Sequence, residues 1–525
     1  MYTDPVVAEP RRTPVAAATS PARASAYGPG SGGRPPSRLL VRLFLTVWLV
    51  YGLHLATNVV RETYLAVSLG TSLSVRVDDF IGLHPDLFVI EGRGGYINNN
   101  PGASLLAAVP YALARPAIDV LFRLRPALGA PKPPATYEDP RPNRTRFMNE
   151  ARARGLDVRL GLAAITMQLG LMAPLGALAA VLLFVFLRER LGSESQALWL
   201  TLLYAFGTPI FFRSAFLNQN ALLAHFTLFA YLLVASARGL SPPRLAAAGA
   251  LLGLGLLCDY SAAPLLLAFG GWILIEAYRR QHGAAATLRR VGAFCLGAAI
   301  PVALLLGYQW LAFGNPWFPA QSYMPPTALS GSGWNGLFWP IPELLWRNLF
   351  DPRYGLLVFC PMLAAALLAP ALRLRPGGPT HSELALIFAA AAALYLFSSS
   401  VQFALLQFNT GVRYLVPAVP LLFIALVPVL LAAPAWLRWL LVIPSVTISW
   451  AVSMAREDVP TALARVFMQG FELPVLTVLQ KMSSGYLPQL EQGVSPVPLF
   501  VLAGVVLWLL WRGTTLRDAP AESKP

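Results

Sequence analysis

The stretch from Leu39 to Thr57 reads LLVRLFLTVWLVYGLHLAT, and about a hundred mostly polar residues, from Val60 to Arg159, follow it. An apolar stretch of roughly 17 to 25 residues is long enough to cross a lipid bilayer as a helix. The chain has about a dozen such stretches, ending with Leu499–Trp511, and elsewhere they are evenly spaced. This pattern predicts an all-α polytopic membrane protein with about 12 transmembrane helices. The early polar loop is where we expect the chemistry.

The composition agrees with this class. Of the 525 residues, 56% are hydrophobic and only 12% are charged, and the mean hydropathy is +0.57, which excludes a soluble protein. The formal net charge is +15, but the arginines lie at the ends of apolar stretches and indicate topology rather than nucleic-acid binding. Cys258, Cys295 and Cys360 lie in or beside apolar stretches without metal-ligand spacing, so we interpret them as packed small side chains.

The apolar stretches divide the chain into parts. Residues 1–38 have almost no large apolar side chains, so we expect a disordered cytoplasmic tail. So long a polar leader is unlike a secretory signal peptide, and the first span is interpreted as a retained anchor. Residues 39–455 form the main transmembrane domain, with its first external loop at 60–159. Residues 456–512 form an external segment and a last span, and residues 513–525 form a cytoplasmic tail.

The orientation depends on the segment Ala103–Phe122, which is apolar but contains two prolines and two charges. If it crossed the membrane, five later arginine clusters would lie outside. If it lies along the surface, all five lie inside, as the positive-inside rule requires. We therefore interpret it as an interfacial or juxtamembrane helix, with both termini cytoplasmic. The twelve predicted spans are 39–57, 160–187, 196–214, 218–237, 245–260, 262–278, 291–312, 354–372, 383–401, 414–432, 436–453 and 496–511.

Two further external segments are expected, at about Gly314–Asp351 and Arg456–Val497. The first is rich in aromatic side chains, which favour the headgroup level of a membrane. They form either an interfacial belt or the wall of a ligand cleft. These residues are Trp310, Trp317, Phe318, Tyr323, Trp334, Phe338, Trp339 and Trp346.

The first loop carries carboxylates at the expected outer face. Glu62 comes directly after the first span, and Asp78, Asp79, Asp86 and Glu91 follow. Such groups serve as general bases or as ligands of a divalent cation, or they are only solvated loop charges. Glu62 differs from the others because its position at the end of a span fixes its height and limits its motion.

The short turn between the third and fourth spans is unusually polar. Polar groups at membrane depth are costly unless they face a cavity or each other. The turn therefore lines a cavity, or these side chains only shape the turn itself. Its polar residues are Arg213, Asn218, Gln219, Asn220 and His225.

The order of these features resembles the membrane-embedded GT-C glycosyltransferases, in particular bacterial relatives of protein O-mannosyltransferases and lipid A aminoarabinose transferases. The shared order is a cytoplasmic start, one span, a large external loop with early acidic residues, and a Pro-Gly turn before an amphipathic helix. The resemblance covers roughly residues 39–435. Its further motifs are LRERLG at 187–192, YAFGTP at 204–209, DPRYGLLVFCP at 351–361 and GVRYLVP at 411–417.

The resemblance implies an inverting transfer of a sugar from a polyprenyl-phosphate donor to a glycan, lipid or protein acceptor. The reaction would take place at the outer face of a bacterial cytoplasmic membrane, without a nucleic-acid partner. Glu62 then acts as the base that deprotonates the acceptor. Asp78 or Asp79 acts as a second carboxylate, metal ligand or acceptor holder, and a divalent cation stays open as a cofactor.

The resemblance also implies a set of substrate-binding residues. Arg353 with Tyr354, and Arg413 with Tyr414, fit phosphate binding because both pairs are expected at the outer membrane face. The other candidates are Arg61, Tyr64, Asp86, Arg93, Asn100, Arg213, Asn218 and Asp259.

Departures from the family pattern keep alternatives open. Relatives often carry an Asp or Asp-Glu pair after the first span, where this chain has Arg61-Glu62, so the base could instead be Asp78 or Asp79. Many relatives have Lys-Pro-Pro or Pro-Pro-Gly where this chain has Asn-Asn-Pro-Gly at 99–102. Some have a lysine where Asp259 stands. The sugar, the acceptor and the phosphate-binding group therefore stay open.

Two other classes of protein remain as alternatives. A twelve-helix transporter would tend to show two comparable halves with broken helices at corresponding positions, and the sequence has no visible symmetry of this kind. A GT-C-like scaffold that binds lipid without catalysis is the second alternative, because a fold can persist after its chemistry is lost.

Overall fold

The computed structural model describes residues 37–135, 144–236, 240–280, 283–331, 333–372, 378–409, 411–482, 488–490 and 492–516. The predicted tail at 1–38 lies outside them except for its last two residues, and the tail at 513–525 lies outside from residue 517. The α-helices are α1 Ser37–Leu53, α2 Arg61–Ser72, α3 Gly102–Leu124, α4 Arg144–Ala153, α5 Asp157–Met167, α6 Ala173–Leu191, α7 Glu194–Gly207, α8 Ile210–Arg213, α9 Gln219–Val234, α10 Pro242–Cys258, α11 Ala262–Arg279, α12 Gly283–Phe313, α13 Pro342–Phe350, α14 Leu356–Phe359, α15 His381–Ser400, α16 Val419–Ala432, α17 Ala435–Ala455, α18 Val459–Gln469, α19 Pro474–Met482 and α20 Val497–Trp511.

The predicted all-α polytopic class is confirmed, and the chain is an integral membrane protein. Each of the twelve predicted spans falls on one or two of these helices. By length and hydropathy, six described helical units could cross a membrane, or seven if α18 and α19, which meet at a bend of 79°, form one span. The six are α3, the joined α5 and α6, α11, α12, α15 and α17. Five shorter apolar helices accompany them.

Some spans are helical without being regular α-helices. A π-helical turn, Gln168–Met172, joins α5 to α6. The predicted span at 354–372 consists of α14 and a 3₁₀ helix, Pro361–Ala371. Proline has no backbone N–H to continue an α-helical ladder, so Pro361 marks the break between them.

The predicted interfacial segment Ala103–Phe122 is α3, which continues through Pro110 and Pro116. It packs against α2 and α5. Because α3 meets the length and hydropathy criteria for a span, its orientation along the membrane surface stays a prediction. The first loop does contain the expected additional helices, since α2, α3 and α4 all lie within residues 60–159.

A small β-hairpin in the first loop was not predicted. Strand β1, Leu87–Ile90, pairs antiparallel with β2, Gly94–Ile97, and Leu87 lies opposite Ile97. Gly94 has a φ of 111°, a conformation that glycine adopts without a steric penalty. The strands are only four residues long, so their alternation is too short to stand out in the sequence.

Close helix packing holds the bundle together. The tightest contact joins α10 and α12, where a Cβ on Gly249 would lie 1.9 Å from the backbone oxygen of Phe294. Small residues allow helices in a membrane to approach closely, because lipid tails supply little hydrophobic force between them. Any larger side chain at Gly249 would separate these helices.

Polar contacts collect at the two opposite ends of the bundle. At one end, Arg190 on α6 forms an ion pair with Glu383 on α15, and Ser382 Oγ donates to Glu276 Oε2 at 2.7 Å. At the other end lie the start of α2, the start of α9 and the end of α10. Because successive spans run in opposite directions, this end brings together loop residues that are far apart in the chain.

Candidate active site

Glu62 is the centre of the polar cluster at this second end. It lies in the first turn of α2, where the positive end of the helix dipole favours a carboxylate. Its side chain is nearly fully buried. Glu62 Oε1 accepts hydrogen bonds from Arg61 Nε at 3.0 Å and from Asn99 Nδ2 at 2.7 Å. Ser104 Oγ donates to the Glu62 backbone oxygen at 2.9 Å, which ties α2 to α3.

Gln219, at the start of α9, joins Glu62 to a second arginine. The amide oxygen of Gln219 faces the two arginines. It accepts hydrogen bonds from Arg413 Nη2 at 2.7 Å and from Arg61 Nη2 at 3.2 Å. The Gln219 nitrogen then donates to Glu62 Oε1 at 3.3 Å. This orientation follows from the hydrogen-bond network, because the alternative would point the oxygen at acceptors and the nitrogen at donors.

Arg413 is positioned by side chains from two other parts of the chain. Its Nε donates to Asn220 Oδ1 at 3.2 Å. The backbone N–H groups of Arg413 and Tyr414 both donate to Gln407 Oε1, at 3.2 and 3.0 Å. The Arg413 guanidinium carbon lies 5.3 Å from the centre of the Tyr414 ring. The motif at 411–417 therefore presents a fixed cation to the cluster.

Asp259 adds a further carboxylate at the end of α10. Its Oδ1 accepts from the Ser261 backbone N–H at 2.9 Å, and its Oδ2 accepts from Asn220 Nδ2 at 3.5 Å. Nearby, Asn100 Nδ2 donates to the Leu256 backbone oxygen at 2.8 Å, which connects the Asn-Asn-Pro-Gly turn to the same helix.

Arg61 lies between two carboxylates. It forms an ion pair with Glu62 and another, through Nη1, with Asp86 Oδ2. Burial raises the pKa of the Glu62 carboxyl, but Arg61, Arg413 and the Asn99 hydrogen bond outweigh it, so the net shift of the pKa is downward. The pKa of Asp86 is lowered in the same way, chiefly by Arg61 against burial. Both groups are therefore carboxylates at neutral pH.

His84 lies beside this ion-pair network as a neutral imidazole. Burial lowers its pKa more than the charge of Asp86 raises it. Its Nδ1 accepts a hydrogen bond from the Asp86 backbone N–H at 3.1 Å, so the proton of the neutral ring is on Nε2.

A second group of cations, which we call the arginine cluster, consists of Arg213, Arg413 and Arg456. The guanidinium carbons of Arg213 and Arg456 lie 5.3 and 4.8 Å from the Phe216 ring centre. The positive charges of Arg413 and Arg456 act on Arg213, which is nearly fully buried. So many cations at low dielectric favour an anionic ligand.

The structure brings seven of the predicted site residues into these two connected groups. They are Arg61, Glu62, Asp86, Arg213, Asp259, Arg413 and Tyr414, and Asn100 lies directly beside them. Five of the contacting residues were not among the predicted site residues: Asn99, Gln219, Asn220, Gln407 and Arg456. The sequence analysis named Gln219 and Asn220 only as polar residues of a turn. Asn99 belongs to a motif that the sequence analysis quoted, whereas no sequence signal links Gln407 or Arg456 to Glu62.

Four predicted residues have local roles in the structure. Asp78 pairs with Arg76 at 2.6 Å and accepts from the Gly95 backbone N–H, which holds the hairpin. Asn218 caps α9 by accepting from the Ala221 N–H at 2.9 Å. Tyr64 is buried and donates to the Leu83 oxygen at 3.2 Å. Arg93 is exposed in the hairpin turn.

The remaining predicted residues are Asp79, Arg353 and Tyr354, and none of them has a described contact with Glu62. Asp79 is exposed. Arg353 pairs with Asp351, through Nε at 3.2 Å, and Tyr354 is fully buried beside it. The second predicted phosphate-binding pair, Arg353 with Tyr354, therefore has no described contact with Glu62 or Arg413.

Among the described residues, no group of three or more His, Cys, Asp or Glu side chains is placed to hold a metal ion. The carboxylates of the site contact arginine and amide groups instead.

Comparisons with known proteins agree with the class of enzyme that the sequence resembles. Residues 169–305, about a quarter of the chain, match the family model described as dolichyl-phosphate-mannose-protein mannosyltransferase. This segment contains Gln219, Asn220 and Asp259 of the site, whereas Glu62 and Arg413 lie outside it. The predicted resemblance to protein O-mannosyltransferases is thereby confirmed over this segment.

Two solved structures are similar to the chain, and each comparison covers 90% of this chain and 75% of the other at 15% sequence identity. Both are crystal structures of ArnT from Cupriavidus metallidurans. One is in the apo state, with a TM-score of 0.43, and the other is bound to undecaprenyl phosphate, with a TM-score of 0.45. No curated protein sequence matches the chain.

Proposed function

We propose that this protein is an inverting glycosyltransferase that uses a polyprenyl-phosphate-linked sugar and works at the extracytoplasmic face of a bacterial cytoplasmic membrane. The observation that carries the proposal is the buried Glu62 carboxylate between Arg61 and Arg413, directly connected to the arginine cluster. A base for the acceptor and cations for a leaving phosphate therefore lie side by side. The acceptor is a glycan, lipid or protein hydroxyl.

In the proposed reaction, the acceptor oxygen attacks the anomeric carbon of the donor while Glu62 takes the hydroxyl proton. The new bond joins the acceptor oxygen to the sugar, and the bond that breaks joins the anomeric carbon to the phosphate oxygen. The electron pair of the broken bond leaves with the polyprenyl phosphate. One displacement with one base inverts the anomeric configuration.

The arginine cluster would hold the leaving phosphate. Charge-assisted hydrogen bonds from guanidinium groups suit phosphate oxygens, and they are stronger in a buried site than in water. Arg413 belongs to both groups, so a bound phosphate would draw part of its charge away from Glu62. The carboxylate would then become more basic when the donor is present.

We prefer Glu62 to Asp78 or Asp79 as the base because of burial and contacts. Asp79 is exposed, and Asp78 is engaged in the hairpin. Asp86 and Asp259 are better placed for a supporting role, since Asp86 pairs with Arg61 and Asp259 contacts Asn220. Either could also hold hydroxyl groups of a substrate.

The test is to reconstitute the purified protein with undecaprenyl phosphate linked to different sugars and to measure the release of free undecaprenyl phosphate. Glu62→Gln keeps the shape of the side chain and removes the base, so turnover should fall by about a hundredfold or more. Asp78→Asn is the matched control, with turnover close to that of the wild type.

Two results would overturn the assignment. Full turnover by a correctly folded Glu62→Gln variant would exclude Glu62 as the base, and loss of turnover only in Asp78→Asn would move that role to Asp78. If the wild type released no undecaprenyl phosphate from any donor but bound the lipid tightly, the lipid-binding scaffold would replace the enzyme as the proposal.

A further inference from the structure

A second polar group lies where the first and second external segments meet. Asn98 comes directly after β2, and its backbone N–H donates to the Asp86 oxygen at 3.0 Å, which continues the hairpin ladder. Gln321, from the segment at 314–351, donates from Nε2 to the Asn98 backbone oxygen at 2.8 Å. The two external segments are thus joined one residue before Asn99, the partner of Glu62.

Aromatic rings surround this junction. Phe313, at the end of α12, packs against Tyr96 of β2 at 5.4 Å between ring centres and against Tyr323 at 5.0 Å. Tyr308, one turn earlier on α12, lies 6.0 Å from Phe313. Asn98 follows β2 directly, two residues after Tyr96, so this group of rings lies close to it in the chain.

Three polar atoms are buried without a partner among the described residues: Asn98 Oδ1 and Gln321 Oε1 at the junction, and the hydroxyl of Tyr308, whose ring packs against Phe313. The whole Tyr308 side chain is buried, with 9% of its surface exposed. Buried polar atoms nearly always find a hydrogen-bond partner, and those without one in the protein are satisfied by water or by a ligand. Three such atoms, two at the junction and one on a neighbouring ring, indicate a ligand site.

The chemistry of these atoms defines the ligand. Two amide oxygens only accept hydrogen bonds, and a phenol both donates and accepts. None carries a charge, so they suit neutral hydroxyl groups better than a phosphate or a carboxylate. A sugar ring offers several hydroxyl groups at close spacing.

We propose that Asn98, Gln321 and Tyr308 form a subsite that binds hydroxyl groups of a sugar ring next to the Glu62 site. The inference rests on the proposed glycosyl transfer and adds where the sugar is recognised. The sugar belongs either to the donor lipid or to a glycan acceptor, and the experiment separates these two sources.

The test measures binding rather than turnover, so it does not depend on catalysis. Three probes are titrated into the detergent-solubilised full chain: undecaprenyl phosphate linked to a panel of hexoses and pentoses, undecaprenyl phosphate alone, and the corresponding methyl glycosides. The variants are Tyr308→Phe, which removes only a hydroxyl, and Asn98→Leu, which removes the acceptor. Tyr323→Phe is the matched control, because it removes a hydroxyl at the same junction without touching the three atoms.

We expect Tyr308→Phe to weaken binding of a sugar-bearing probe by roughly threefold to tenfold, as the loss of one hydrogen bond does. Binding of undecaprenyl phosphate alone should not change, and Tyr323→Phe should bind every probe as the wild type does. Weakening confined to the linked sugars assigns the subsite to the donor, and weakening confined to the methyl glycosides assigns it to the acceptor.

Unchanged binding of every sugar probe in both variants would overturn the subsite and leave the three atoms to bound water. Equal weakening for undecaprenyl phosphate alone would overturn it as well, since the effect would then not concern a sugar. The subsite would also be overturned if the wild type bound none of the sugar probes. The proposed function fails by a different result, which is the absence of donor turnover in the wild type.

Discussion

Asn99 donates a hydrogen bond from Nδ2 to Glu62 Oε1 at 2.7 Å, and thereby joins the turn before α3 to the first turn of α2. A hydrogen bond to a carboxylate favours the ionised form. Asn99 shares this role with Arg61 and Gln219, so three donors hold one oxygen of Glu62. Glu62 is therefore fixed in position as well as charged, which a general base requires.

Asn99→Ala should shift the acid limb of the pH dependence of donor turnover to higher pH. The variant loses a donor that stabilises the charged carboxylate, so the pKa of Glu62 rises. We also expect turnover at neutral pH to fall about tenfold, because the carboxylate loses one of the donors that hold it in position. An acid limb that stays in place would show that this bond does not act on the titrating group.

Asp86→Asn should shift the same acid limb in the opposite direction. Asp86 shares Arg61 with Glu62, and without it the whole charge of Arg61 acts on Glu62 and lowers its pKa further. A weaker base should also reduce the plateau of the rate. The measurement is turnover against pH, with Asp79→Asn as an exposed control, and a shift to higher pH would contradict the arrangement.

Arg413→Lys should weaken binding of polyprenyl phosphate. Lysine cannot keep the two contacts that the guanidinium makes, one with Asn220 and one with Gln219. We expect the KM for the lipid donor to rise by about tenfold. Arg353→Lys is the matched control, with a change below about twofold, since Arg353 pairs with Asp351 and has no described contact with Glu62 or Arg413. The reverse ranking of the two variants would place the phosphate at Arg353.

Glu383→Gln should destabilise the fold without a specific effect on donor binding. Glu383 is the buried partner of Arg190 at the opposite end of the bundle, and removing one partner of a buried pair costs about 3 kcal/mol. The measurement is thermal unfolding in detergent, where Tm should fall. Glu343→Gln, in an exposed pair with Arg347, should leave Tm nearly unchanged. An unchanged Tm in Glu383→Gln would mean that this ion pair does not connect α6 to α15.

The sequence alone determined the class of the protein and the place of its helices. Apolar stretches such as Leu39–Thr57 must form helices in a bilayer, since a lipid environment leaves no other partner for the backbone. Glu62 could also be singled out from the sequence, because a carboxylate at the end of a span lies at a fixed depth relative to the membrane. The sequence did not predict the β-hairpin, because strands of four residues are too short to give a clear alternation. It also did not determine the orientation of α3, because an apolar helix with two prolines fits either a span or a surface helix.

Only the tertiary structure decided which polar residues meet. Asn99, Gln219 and the segment from Gln407 to Arg413 come from three separate parts of the chain, and their spacing does not show that they meet Glu62. The contacts arise because antiparallel spans bring distant loops to one end of the bundle, where buried polar groups must find partners. The same requirement separates Asp78 and Asn218, which satisfy backbone groups nearby, from Arg61 and Asp86, which reach the site. Spacing along the chain cannot reveal this difference, because it depends on how the helices pack.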